Sequence, residues 1–171
     1  MVKIDNIKTI REINDIEGIR NSTSIIKKSF STVAKEFGFT RENCPTHPSF
    51  ITIKQLKQLN SKGLTFFGLF PGENQVGFVA VEKADEELYY MEKLAVLPEH
   101  RHKGYGKELT GFVIDFIRNN GGKKIGIGII DEHNVLKNWY KGLGFKEINT
   151  QKFAHLPFTV CFMERDTGML K

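Results

Sequence analysis

The residues best suited to chemistry form one run, Arg101-His102-Lys103-Gly104-Tyr105-Gly106-Lys107. An apolar strand pattern ends just before it, and an amphipathic helical pattern starts just after it. Glycines let the backbone turn and approach a ligand without a Cβ in the way. The N–H groups of a helix's first turn point outward and carry partial positive charge. Together these features hold phosphate, and Arg101, Lys103 and Lys107 add full charges. A magnesium-nucleotide loop would need Ser or Thr after Gly-Lys, but Glu108 follows Lys107. A dinucleotide fingerprint needs a small residue where Leu109 stands, and an earlier strand–turn–helix unit that is missing. The same glycines would also serve a helix start that holds no ligand.

Other reactive side chains are fewer. On a strand read from Leu88 to Val96, strict alternation puts Leu88, Tyr90, Glu92, Leu94 and Val96 on one face. A carboxylate on an apolar face gains basicity from burial, so Glu92 is a candidate base or water-holder. His100 and His102 can add charge at the loop. His47, Tyr90 and His155 are candidates for the acceptor side of a site. No pair of histidines has helical metal-ligand spacing with a third ligand, so no metal is expected. Cys44 and Cys161 are far apart in sequence and suggest free thiols in a reducing, cytoplasmic setting.

The elements that must position these groups follow from periodicity. A first strand is expected over 3–14. A helix from about Glu17 presents Ile26, Phe30, Val33 and Phe37 on one face and stops at Gly38. The Cys- and Pro-bearing stretch 40–49 is loop, and Ser49 looks like the N-cap of a helix presenting Ile53, Leu56 and Leu59. Strands follow over 64–70, 76–81 and 88–96, joined tightly enough to form an antiparallel meander. Leu109, Phe112, Val113, Phe116 and Ile117 mark a helix that Gly121-Gly122 ends. Ile125, Ile127 and Ile129 alternate with Gly126 and Gly128, a buried strand with one bare face. Asn134 is expected to cap a short helix to about Lys141, before final strands over 145–153 and 158–164. The predicted architecture is α/β (α+β): one domain over 1–171 with a mixed, mostly antiparallel sheet of about seven strands flanked by about four helices.

The 171 residues carry a net charge of +5 from scattered lysines. A modest positive balance suits a phosphorylated cofactor as well as nucleic acid or anionic lipid. No basic stripe with interleaved aromatics points to nucleic acid. No stretch is long and apolar enough to cross a membrane, and the start of the chain has no apolar run resembling a signal peptide.

The sequence resembles the GCN5-related N-acetyltransferase (GNAT) superfamily. Arg101, Gly104 and Gly106 match its Arg/Gln-x-x-Gly-x-Gly/Ala signature, and Leu94-Ala95-Val96-Leu97-Pro98 matches the apolar strand end before it. A second block, Asn134-Val-Leu-Lys-Asn-Trp-Tyr140-Lys-Gly-Leu-Gly144-Phe145, fits the family's Asn…Tyr…Gly-Phe pattern. About residues 15–62, the acceptor side, match only in outline.

The resemblance implies an acyltransferase that moves acetyl from acetyl-CoA directly to a primary amine of a small molecule or peptide. It implies that the pantetheine arm runs beside Leu94, Ala95 and Val96. It further implies that the amides from Arg101 to Lys107 take the pyrophosphate and that Asn134 touches pantetheine. Tyr140 falls where the family often carries its general acid, and many relatives carry a glutamate at the place of Glu92. Such enzymes are commonly dimers. The segment 43–50 is expected to shape acceptor choice. A non-catalytic acyl-CoA binder on the same fold is the alternative.

Overall fold

The computed structural model describes residues 7–168. Their strands form one seven-stranded sheet in the order β1-β2-β3-β4-β5-β7-β6. β1 (Thr9–Glu12), β2 (Thr65–Phe70), β3 (Gly77–Lys83) and β4 (Leu88–Val96) pair antiparallel in succession. β5 (Lys124–Ile130) runs parallel to β4. β7 (Thr159–Asp166) pairs antiparallel with β5, and β6 (Lys146–Lys152) closes the far edge. The mixed, mostly antiparallel sheet with helices on both faces is thus present. β1 is shorter than the expected 3–14, and residues 3–6 of that range lie outside the described residues.

The helices bury the stripes that their sequences carry. α1 (Ile16–Phe37) begins where Asp15 Oδ1 accepts from Gly18 N at 2.7 Å, and it ends at Gly38, whose φ of 69° suits glycine. Its Ile19, Ile25 and Ile26 pack with Phe66, Phe78 and Ala80 on one sheet face. α3 (Tyr105–Asn119) covers the opposite face, with Leu109, Val113 and Ile117 fully buried against Val79, Ile125 and Met163.

Two expected caps are corrected. α2 (Ile53–Ser61) starts at Thr52, not Ser49. Thr52 Oγ1 accepts from Gln55 N at 3.2 Å while Gln55 Oε1 accepts from Thr52 N at 3.0 Å, a reciprocal capping box. Ser49 instead lies in a 3-10 turn, Pro48–Phe50, that begins at Pro48 and holds the chain short of the helix. α4 (Asn134–Gly142) is capped by the His133 ring, and Asn134 is its first helical residue. No helix among the described residues is long and apolar enough to cross a membrane.

Candidate functional site

The glycine loop leaves β4 through a 3-10 turn, Pro98–His100, and reaches α3 by way of two left-handed residues. His102 has φ 61° and Gly104 has φ 82°. Left-handed backbone at a non-glycine residue costs roughly 1–2 kcal/mol, and His102 adopts it where the chain turns from the 3-10 segment into α3. Gly104 is the helix N-cap but has no side chain to accept from the first turn. Among the described residues, no backbone N–H from His102 to Lys107 donates to a protein acceptor. His102, Lys103, Gly104 and Lys107 are exposed. The loop therefore presents a row of free donors at the positive end of a fifteen-residue helix, with two lysines beside them.

Arg101 does something else. Its guanidinium donates to Ser29 O at 2.8 Å and to Thr32 Oγ1 at 3.1 Å. The side chain thereby ties the loop to α1.

Above the loop, β4 and β5 part. They pair only through Leu88–Lys124, Tyr89–Ile125 and Tyr90–Gly126. Beyond Tyr90, the edge of β4 facing β5 has no ladder partner, so Leu94, Ala95 and Val96 border an opening. A bulge accompanies this parting. Phe78 pairs with Ala95 and Ala80 with Glu92, so one strand spans three steps where the other spans two. Lys93 takes up the extra residue at φ 53°.

The bulge overturns the expectation that Leu88, Tyr90, Glu92, Leu94 and Val96 share a face. Before it, Tyr89 and Met91 join the α3-side core; after it, Leu94 and Val96 pack there instead. Tyr90 and Glu92 lie on the α1 side, the face of Ala80 and Ala95. On that face Glu82 stands opposite Tyr90 and diagonal to Glu92. Burial, then a hydrogen bond with the Glu82 carboxyl, raises the Glu92 pKa; Lys93 Nζ, 3.8 Å from its Oε2, opposes the shift. Glu164 lies on the same side, opposite Gly126. Sequence reasoning missed Glu82, although the alternation Phe78, Ala80, Glu82 in β3 carries the signal once the register is known. The bare face of β5 is partly filled, since the Tyr90 ring leaves no room for a Cβ at Gly126.

Tyr140, on α4, is 5% exposed and sits edge-on to Phe145 at 5.3 Å and Trp139 at 4.8 Å. It belongs to the core that also takes Leu94 and Val96. Burial pushes its phenol well above the usual range, so it stays protonated. Asn134 is exposed on the first turn of the same helix. Lys137 pins α4 to the sheet through Asp131 Oδ1 at 2.5 Å and Glu147 Oε1 at 3.1 Å. Asp131, Glu147 and Cys161 are grouped like metal ligands, but the Lys137 ammonium already stands between the carboxylates. Burial pushes the Cys161 thiol up to about 11.

The remaining histidines are scattered. His47 is buried among Phe30, Phe39 and Phe50, with Nδ1 2.7 Å from Ser49 Oγ, and burial lowers its pKa to about 4. His155 is exposed on the β6–β7 connection, tilted on Phe153 at 5.8 Å. The structure thus brings Glu92, Tyr90 and the open β4 edge into one region continuous with the loop. His47 lies on the α1–α2 connection and His155 on the β6–β7 connection, and the two connections meet where Phe39, 5.1 Å from His47, packs on Phe158 at 5.2 Å.

These features fit coenzyme A. The loop offers unpaired N–H donors and lysines to a pyrophosphate, and the partnerless β4 edge offers backbone groups to an amide-bearing arm, as an added strand would find. The comparisons agree. No curated protein sequence matches the chain. Solved structures do match in fold. The PaiA N-acetyltransferase of Thermoplasma acidophilum in complex with coenzyme A is 18% identical, with TM-score 0.78 over 93% of this chain and 98% of that one. The ribosomal-protein-S18-alanine N-acetyltransferase of Escherichia coli is 14% identical, with TM-score 0.75 over 96% and 97%. An aminoglycoside 6'-N-acetyltransferase complexed with coenzyme A is 13% identical, with TM-score 0.69 over 95% and 99%. The model of the Acetyltransferase (GNAT) family matches residues 30–145, more than half of the chain. The parted strands, the free-donor loop and this match together place the chain in the GNAT family of acetyltransferases, acyltransferases that use acetyl-CoA.

Proposed function

We propose that this acetyltransferase acetylates a primary amine of a small molecule or peptide, with the acceptor entering on the α1 side of the sheet. The observation that carries this reading is the bulge at Lys93. It sends Glu92 to one face of the β4–β5 opening while Leu94 and Val96 turn to the other, where Tyr140 packs. A base and an acid are thereby set on opposite sides of the same opening.

Acetyl-CoA, when bound, supplies an acetyl group activated as a thioester. The chain's own residues do the rest. An ammonium cannot attack, so Glu92 takes a proton from the entering amine, directly or through a water. Its raised pKa makes it a better base than a solvated carboxylate. Glu82, Glu92 and Glu164 give this face a negative field that draws an ammonium in. The backbone N–H of Val96 or its neighbour on the open edge donates to the carbonyl oxygen as it gains charge. Tyr140 Oη gives its proton to the departing sulfur, and the second proton that the nitrogen loses as the amide forms restores the phenol. Asn134 lies at the first turn of α4, on the coenzyme side. Tyr90, His47 and His155 belong to the acceptor side: Tyr90 as floor, His47 as packing behind the wall, His155 at the rim.

Two measurements test this. Thioester consumption across a panel of amino acids, polyamines and peptide N-termini should show turnover with at least one class of primary amine. Coenzyme A binding with no turnover on any amine would support a sensor instead. For the acid, Tyr140→Phe should lower kcat about 10²-fold, the low end of what a positioned proton donor contributes. An unchanged kcat removes Tyr140 from that role.

A further inference from the structure

Trp139, the only tryptophan, does not face the core with its neighbour Tyr140. Its indole spans from α4 to the first turn of α3. A Cβ built on Gly106 would lie 3.4 Å from both Cζ2 and Cη2, in contact with the indole, so the ring stands over this glycine. The other side of the ring is open, and the residue is 36% exposed. Val135, one turn earlier on α4, is 79% exposed. A large aromatic ring thus lies half in solvent, against the second residue of the helix whose free donors make the phosphate cradle.

We infer that Trp139 is a coenzyme-positioning residue: its indole forms the apolar wall between the α3 cradle and α4 along which the pantetheine arm lies. This rests on the coenzyme A reading of the loop. Three features of the site converge on it. Any chain running from donors at 102–107 to the open edge at Leu94–Val96 starts beside Gly106, where the indole sits. Pantetheine carries an apolar gem-dimethyl segment next to its pyrophosphate, and a flat aromatic face is the natural contact for it. The indole also meets Tyr140 edge-on at 4.8 Å, which fixes the ring on α4.

The single tryptophan makes the proposal testable without a variant. Coenzyme A titrated into the wild-type protein should shift or quench intrinsic emission with the midpoint found by calorimetry. Trp139→Ala should raise the KM for acetyl-CoA by roughly tenfold, the loss of one good aromatic contact, with kcat within about threefold. Trp139→Phe should recover most of that loss, which a merely structural role would not predict. Calorimetric binding without any emission change, or an unaltered KM in Trp139→Ala, overturns the role of Trp139 and leaves the coenzyme assignment standing. Absence of calorimetric binding overturns both.

Discussion

Glu92→Gln lowers kcat/KM by about 10²-fold or more, the range expected when a positioned base is removed. The substitution keeps size and polarity, so the bulge at Lys93 and the packing beside Ala80 survive. What it removes is the ability to accept a proton. The pH profile separates this from a structural defect. Burial and the Glu82 carboxyl raise the Glu92 pKa, and only the deprotonated form acts. Wild-type kcat/KM therefore falls as pH drops through that raised pKa. The glutamine variant should lose this acidic limb and keep a low, flatter rate. A variant with wild-type rate across pH contradicts the role. Glu82→Gln is the companion case: with one fewer carboxylate nearby, the acidic limb moves to lower pH.

Gly104→Asp raises the KM for acetyl-CoA by about 10²-fold, equivalent to losing roughly one to two charge-assisted hydrogen bonds. Nothing lies within 4 Å of a Cβ at Gly104, so the variant meets no clash. Its φ of 82° is left-handed, which aspartate tolerates better than most residues. The new carboxylate sits among the same donors the pyrophosphate needs and repels it. Melting temperature should change little while KM changes greatly. Equal KM would show that the coenzyme's phosphates lie elsewhere.

Much of this site was legible in the sequence because its signals are local. Gly104 and Gly106 before an amphipathic stripe announce a helix start with an open backbone. The Asn134–Phe145 block announces a second short helix at the right remove. Element order followed from periodicity.

The misses share a physical cause. Whether β4 alternates strictly depends on its pairing with β3, and no glycine marks the bulge at Lys93. Glu92 and Leu94 were therefore read onto one face, whereas the ladder puts them on two. Thr52 caps α2 because Gln55 reciprocates, a pairing that the earlier Ser49 lacks. Arg101 looked like a phosphate ligand by charge and position, but Ser29 and Thr32, far away in sequence, hold its side chain. Nothing near Trp139 in sequence shows that Gly106 lies against it.

The central claim is that the loop from His102 to Lys107 holds the pyrophosphate of acetyl-CoA. A crystal structure of the protein with acetyl-CoA tests it most directly. Pyrophosphate oxygens are expected about 3 Å from the backbone N–H groups of that loop, with the arm along the open β4 edge at Leu94–Val96. Pyrophosphate bound away from those N–H groups, or an arm that does not enter between β4 and β5, would contradict it.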